Sequence, residues 1–241
     1  METHPSIDKA TAYFDVQLGQ IPGERRIATA PFITISRESG TGGSALAEEI
    51  ARRLNRLQEV EAPAWTVFDR DLVARMLEDQ HLSSSLARYL PENRVSEIDA
   101  SVGEIVGLHP SIWTMVHATN NLMRRLAALG HAIIVGRGAN YATAGSPHGL
   151  HVRLVASTAR RAVHTAEQRG LTNEQAAAVN RKTDHARRDF VRSFFDADID
   201  DPGAYHVVVN MDHFTTGTAA DLVVSILRSR EKAEEPRARA V

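Results

Sequence analysis

One stretch of the 241-residue chain constrains its fold more than any other: residues 33–54, ITISRESGTGGSALAEEIARRL. A short apolar run ends at Ser36, Gly40, Gly42 and Gly43 follow, and an amphipathic pattern begins near Ser44. Leu46, Ile50, Leu54 and Leu57 recur at spacings of four, four and three, with Glu48/Arg52 and Glu49/Arg53 as i,i+4 pairs on the polar face. This is a buried strand passing into a helix through a glycine loop. Glycines let successive backbone N–H groups turn inward, and the helix N-terminus adds positive potential, so the joint suits a phosphate. A tight turn without a ligand is the alternative. Three glycines in four residues exceed what such a turn needs.

Four further apolar runs rich in β-branched residues lie at 65–68, 132–136, 150–156 and 206–210, and the first strand covers 31–36. They are continuous rather than alternating, which predicts parallel strands covered on both faces. Helical patterns separate them, at 44–58, at 111–129 with Gly130 as C-cap, and at 219–227. Strands alternating with helices imply an open parallel α/β sheet. Two connections exceed a simple crossover, at about 69–130 and about 157–205, and both read as helical insertions. Residues 1–30 predict an N-terminal helix and linker, 31–228 the domain itself, and 229–241 a charged, mobile tail.

Composition narrows the function classes. Twenty-eight cationic residues stand against 30 acidic ones, a net charge of −2, which excludes a generally basic nucleic-acid-coating protein. Aromatic residues make up 5%, a poor supply for base stacking. There is no cysteine, so disulfides, thiol catalysis and cysteine-ligated metals are out. No run approaches the ~20 apolar residues of a membrane span, and the first twenty residues lack a signal-peptide pattern, which makes the cytoplasm the expected location. His148 and His151 are spaced closely, but no third metal ligand accompanies them.

The loop alone admits two readings. Gly40-Thr41-Gly42-Gly43-Ser44-Ala45 fits the dinucleotide pattern G-x-G-x-x-A, with Asp69 where a ribose-binding acid would end the second strand; that would make an oxidoreductase. Set instead on the triphosphate-binding pattern G-x-x-x-x-G-K-[ST], Arg37 replaces the first glycine and Gly42 keeps the second. Gly43 then replaces the lysine, and Ser44 keeps the hydroxyl.

The rest of the chain favours the second. The loop together with FDRDLVARM, IIVGRGANY, HVRLVAS and TDHARRDFVRSFFDADIDDPGAYHVVVN resembles the cytidylate kinase-like family over roughly 31–228. These are P-loop nucleoside-monophosphate kinase relatives in which the loop lysine is absent. The resemblance implies a five-stranded parallel sheet flanked by helices, a monophosphate-binding insertion after the second strand and an Arg-rich lid before the fifth. It implies ATP and Mg²⁺ as cofactors and CMP or dCMP as acceptor.

Carried over residue by residue, Ser39, Gly40, Thr41, Gly42, Gly43 and Ser44 would hold the donor phosphates, with Ser44 on the nucleotide-bound Mg²⁺. Asp69 and Arg75 match the ends of the family's D-[ST]-G-A-x-Y-R, while Arg70, Asp71 and Ala74 depart from it. Arg137 keeps the arginine of G-R-D, which has become Gly136-Arg137-Gly138, and its planar fork suits two phosphate oxygens. Asp184 and Arg187 match the lid's D-x-x-R, which reads the nucleoside. Arg37, Arg137 and Arg187 are the candidate catalytic cations, since Lys9, Lys182 and Lys232 are the chain's only lysines and none lies in the loop. Arg160, Arg161, Arg188 and Arg192 also read as a solvated helix face. The lost lysine and lost G-R-D aspartate leave open a nucleotide-binding sensor without phosphotransfer.

Overall fold

The computed structural model describes residue 13 and residues 30–58, 63–69 and 112–238. Five strands form one sheet: β1 (Phe32–Arg37), β2 (Thr66–Phe68), β3 (Ala132–Val135), β4 (Gly149–Val155) and β5 (Val207–Asn210). All pairings are parallel and the order is β2-β3-β1-β4-β5, with Ile33 facing Ile133 on one side and Leu150 on the other. The two central neighbours of β1 are reached by crossovers in opposite directions. Its carboxyl end is therefore the switch point where open α/β sheets bind ligands.

The three central strands β1, β3 and β4 are covered on both faces, which is why their sequences run apolar without alternation, whereas the edge strand β5 leaves Val208 exposed. Ile33 and Ile35 of β1 face α1 (Gly43–Leu57) and the last helix, packing with Leu46, Ile50, Leu150, Val223 and Leu227. Phe32 points the other way, into a cluster with Phe68, Ile134 and residues Leu122, Met123 and Leu126 of α2 (Ile112–Leu129). Tyr13 is buried in this second layer, its ring edge-on to Phe68 and its hydroxyl donating to the Gly130 carbonyl.

A short helix, α3 (Ala139–Ala142), follows β3. The long connection before β5 is a helical hairpin, α4 (Thr158–Arg169) and α5 (Asn173–Phe195). Gly170, at φ 64°, turns the corner between its helices. Thr172 and Gln175 then start α5 with a reciprocal capping box. The final helix, α6 (Thr216–Ala238), opens on a reciprocal Thr215–Thr218 cap and packs on α1. It runs past 227, where the helical pattern was expected to end. The run SREKAEE consists mostly of good helix formers, so the helix continues. Most of the first insertion, including Arg75, lies outside the described residues. No helix among the described residues is long and apolar enough to cross a membrane.

Candidate functional site

The glycine loop leaves β1 at the carboxyl edge of the sheet and divides into two halves with different environments. Its first half is bolted to the helical hairpin. The Ser39 amide donates to Asp184 Oδ1 at 2.7 Å, and the Ser39 carbonyl accepts from Arg161 Nη1 at 3.1 Å. The same Arg161 nitrogen donates to Asp184 Oδ2 at 2.7 Å, closing a ring of loop, α4 and α5. Arg161 Nε adds a bond to the Ala156 carbonyl and lies 3.4 Å from Glu38 Oε2, which accepts from the Ala156 amide. Gly40 is at φ 84°, and a β-carbon there would stand 2.5 Å from the Arg161 carbonyl and 2.7 Å from Thr165 Oγ1. Only glycine permits both the dihedral and this approach of helix to loop. The Thr41 hydroxyl turns back to the Glu38 carbonyl.

The second half opens. Gly42, at φ 77°, is the N-cap of α1, and no side chain caps that helix end. The ring of His164, from α4, lies over it, with Nε2 3.6 Å from where a Gly42 β-carbon would be. His164 Nε2 is buried and has no hydrogen-bond partner among the described residues. Gly43 accommodates the stem of Arg37, whose Cγ would be 3.0 Å from a β-carbon. Ser44, on the first turn of α1, is exposed. The open half thus offers uncapped helix amides, an orphaned ring nitrogen and a free-standing hydroxyl, a donor set fitting a phosphate.

Arg37 crosses from the loop to β3. Its guanidinium packs directly on Gly136, where any β-carbon would collide with Nη1. Gly136, Arg137 and Gly138 have φ of 85°, 57° and 69° in succession. A non-glycine residue in that region is strained, and such strain concentrates at ligand-binding turns. Gly138 faces the Phe195 ring, with its would-be β-carbon 2.9 Å from Cζ, so the end of the hairpin rests on the Arg137 turn. Asp69 directly follows β2, whose Phe68 is in register with Ile134, and is half-buried at the same edge.

Arg187 donates from Nη1 to the Arg37 carbonyl at 2.9 Å and lies 3.5 Å from Asp184 Oδ1. Arg37, Glu38, Arg153, Asp184, Arg187 and Arg188 line a cavity of about 10 Å³, room for roughly one water. The structure therefore brings Arg37, Asp184 and Arg187 of the expected site together with the loop, and puts Arg137 and Asp69 at the neighbouring strand ends. Asp184 faces loop and Arg161, not an open cleft.

Sequence reasoning missed Arg153, Arg161 and His164. Arg161 is buried while its neighbour Arg160 is exposed and donates to the carbonyls of Asp212 and Phe214. Position along the helix decides which of the pair turns inward, and a buried i,i+4 row of Arg161, Ala162, Thr165 and Ala166 was the available signal. Among the described residues, no group of three or more His, Asp or Glu is arranged to hold a metal. A Mg²⁺ ion would rest on nucleotide phosphates with Ser44 as the protein hydroxyl.

Sheet order, glycine loop and helical hairpin define a P-loop kinase-type fold. The sequence model of the cytidylate kinase-like family matches residues 32–213, and the chain belongs to that family. Among solved structures, an uncharacterized protein from Eubacterium ventriosum is similar at a TM-score of 0.62 and 16% identity, covering 83% of this chain and 99% of the other. A gluconokinase from Sinorhizobium meliloti has a TM-score of 0.48 at 13% identity, with 88% and 99% covered. A shikimate kinase from Bacteroides thetaiotaomicron has 0.44 at 13%, with 84% and 98% covered. Comparison with curated proteins gave no match.

Proposed function

We propose that the protein transfers the γ-phosphoryl group of Mg·ATP to a nucleoside monophosphate, CMP or dCMP in the first instance. The observation that carries this reading is the open half of the loop, where the α1 N-terminus at Gly42, without a side-chain cap, meets Nε2 of His164, which has no hydrogen-bond partner among the described residues. Gly42, Gly43 and Ser44 would take the donor phosphates, with Mg²⁺ supplying charge neutralisation when bound. Arg37 spans the gap from this loop to the Arg137 turn, which supports a place for its guanidinium between donor and acceptor. Arg137, with Asp69 and Arg75, would hold the acceptor. Arg187 would reach the transferring group from the lid. Such chemistry needs positioning and charge compensation more than a dedicated base.

Asp184 takes a different part from the nucleoside-reading one its motif suggests: with both oxygens engaged by loop and Arg161, it positions the cradle. A coupled ADP-release assay over the four common nucleoside monophosphates tests the proposal. Turnover with CMP or dCMP above the other acceptors supports it. Stabilisation by NAD exceeding that by Mg·ATP in thermal unfolding would overturn the ligand class. Mg·ATP binding without turnover on any monophosphate would favour a sensor, for which the absence of a loop lysine speaks.

A further inference from the structure

Asp200 lies in the turn between α5 and β5, held between two arginines. Its Oδ1 accepts from Arg153 Nη2 at 2.5 Å and its Oδ2 from Arg188 Nε at 2.7 Å. The two cations differ. The Arg153 side chain rises from the interior of β4 and is 6% exposed, whereas Arg188 is 50% exposed and Asp200 44%. Arg153 is also fixed by a 3.0 Å bond from Nη1 to Ser36 Oγ and by the Tyr205 ring, 5.5 Å from its guanidinium carbon. A buried, immobilised cation is thus met from outside by a carboxylate that solvent can reach.

The lining of the small cavity carries excess positive charge. Four arginines, Arg37, Arg153, Arg187 and Arg188, line the small cavity against Glu38 and Asp184, and Asp184 already serves Arg161. Arg188 and Ile199 also line a neighbouring cleft of about 340 Å³, whose wall carries Arg192 along with Asp189, Asp196 and Asp198, so the same guanidinium is open to solvent on that side. The backbone of the turn does not depend on the Asp200 carboxylate. Tyr141 donates to the Asp198 carbonyl and Tyr205 to the Ile199 carbonyl, both at 2.8 Å. The Asp200 amide binds Asp198 Oδ1 at 2.9 Å, and the Gly203 amide binds Asp201 Oδ1 at 2.8 Å.

We infer that Arg153 and Arg188 form a subsite for a phosphoryl group and that Asp200 fills it as an internal stand-in, displaced when the ligand enters. The inference rests on the reading above that phosphoryl groups are the ligands of this sheet edge. Two guanidinium groups match several oxygens of a phosphate dianion better than one monoanionic carboxylate. Exposed ion pairs of the Arg188–Asp200 kind are screened and contribute little, so exchanging them meets small resistance. Swinging the carboxylate out would also enlarge a space now sized for about one water.

The test compares wild type, Asp200→Asn and the double variant Asp200→Asn/Arg153→Gln by calorimetric titration with inorganic pyrophosphate, alongside thermal unfolding. Asp200→Asn keeps the shape of the turn while removing the competing charge. Pyrophosphate should bind it about fivefold more tightly or better, the equivalent of one exposed ion pair, and the double variant should lose that gain. Equal or weaker binding by Asp200→Asn overturns the inference, as does a gain that survives loss of Arg153. A lowered melting temperature with no gain in affinity would mark Asp200 as merely structural and overturn it too. Failure of the phosphotransfer reading would appear separately, as no ADP release by wild type, whichever way the pyrophosphate comparison falls.

Discussion

The carboxylate of Asp184, on the helical hairpin, accepts a 2.7 Å hydrogen bond from the backbone amide of Ser39, 145 residues earlier in the chain. Loop and hairpin are thereby one mechanical unit. Arg161 completes the link by donating to the second Asp184 oxygen and to the Ser39 carbonyl from one nitrogen. A long-range contact of this kind aligns the glycine loop before any ligand arrives, so less ordering is left for the binding step.

Asp184→Ala should therefore act on stability and ligand binding together. It strips the partner from a buried Arg161, and breaking a buried pair from one side costs ~3–5 kcal/mol. Urea unfolding should show a loss of that order, with Mg·ATP affinity falling in parallel. Asp184→Asn, which retains an acceptor for the Ser39 amide, should lose less. An Asp184→Ala protein with unchanged stability would remove the clamp from the account.

His164→Ala isolates the open half of the loop. The ring nitrogen has no hydrogen-bond partner among the described residues, so its deletion strands no protein group. Loss of one hydrogen bond to a charged phosphate oxygen predicts an affinity for Mg·ATP weaker by ~1.5–3 kcal/mol, with the urea midpoint little changed. Calorimetry on wild type and variant decides it.

How far the sequence spoke for the fold can be seen at Ile33 and Phe32, which point to opposite layers and are both fully buried. A strand covered on two faces must be apolar throughout, so β1, β3 and β4 were legible from composition alone. The glycines were legible too, but Gly40 for a partly different reason. It accommodates α4, whereas the anion cradle reading had assigned every loop glycine to a ligand. The clamp was not legible. Asp184 and Arg161 are 23 residues apart on different helices, and their meeting depends on how the hairpin folds back, which helical periodicity does not encode. Asp200 was hidden among the acids of DADIDD for the same reason: only the turn geometry selects which carboxylate reaches Arg153.

Stability should depend on pH through His151. The side chain is buried in β4, its Nδ1 2.8 Å from Thr34 Oγ1, and its ring stacks on His206 at 4.9 Å. Burial, then the charges of His206 and Arg230, lower its pKa to about 4. His206, lowered by burial and Arg230, accepts the His151 amide on Nδ1 at 2.9 Å. Between about 6.5, where an unfolded histidine titrates, and about 4, the unfolded chain binds a proton that the folded chain refuses. Stability is thus complete above pH ~6.5 and falls as pH drops toward 4, by up to ~3 kcal/mol for His151. Urea midpoints at pH 7.5, 6 and 5 should decline in that order. His151→Gln should flatten the slope, and an unchanged slope would assign the acid sensitivity elsewhere.

Arg137→Ala should weaken binding of a monophosphate more than that of Mg·ATP, by ~1.5–3 kcal/mol for one charge-assisted bond. The strained turn offers an internal control. Arg137 holds φ 57°, so Arg137→Gly removes the guanidinium while relieving the backbone. If the arginine serves the acceptor, both variants lose monophosphate affinity, and the glycine variant is the more stable of the two. Equal losses for both ligands would place Arg137 outside the acceptor site.

The last prediction tests Arg37 as the proposed replacement for the missing loop lysine. Arg37 leaves β1 where the ordinary loop begins, lays its stem over Gly43 and its guanidinium on Gly136, and has its carbonyl tied by Arg187. That span puts one positive charge between the glycine loop and the Arg137 turn, the region a phosphoryl group would cross in the proposed transfer. Arginines that stabilise this charge in related chemistry are worth ~10³–10⁵ in rate. Arg37→Ala should accordingly lower turnover by at least ~10²-fold while the melting temperature moves little. Arg37→Lys separates charge from geometry: a point charge on a flexible stem restores neutralisation but not the planar fork, so partial recovery is expected. Near-normal turnover by Arg37→Ala would return the role to the arginines of the hairpin.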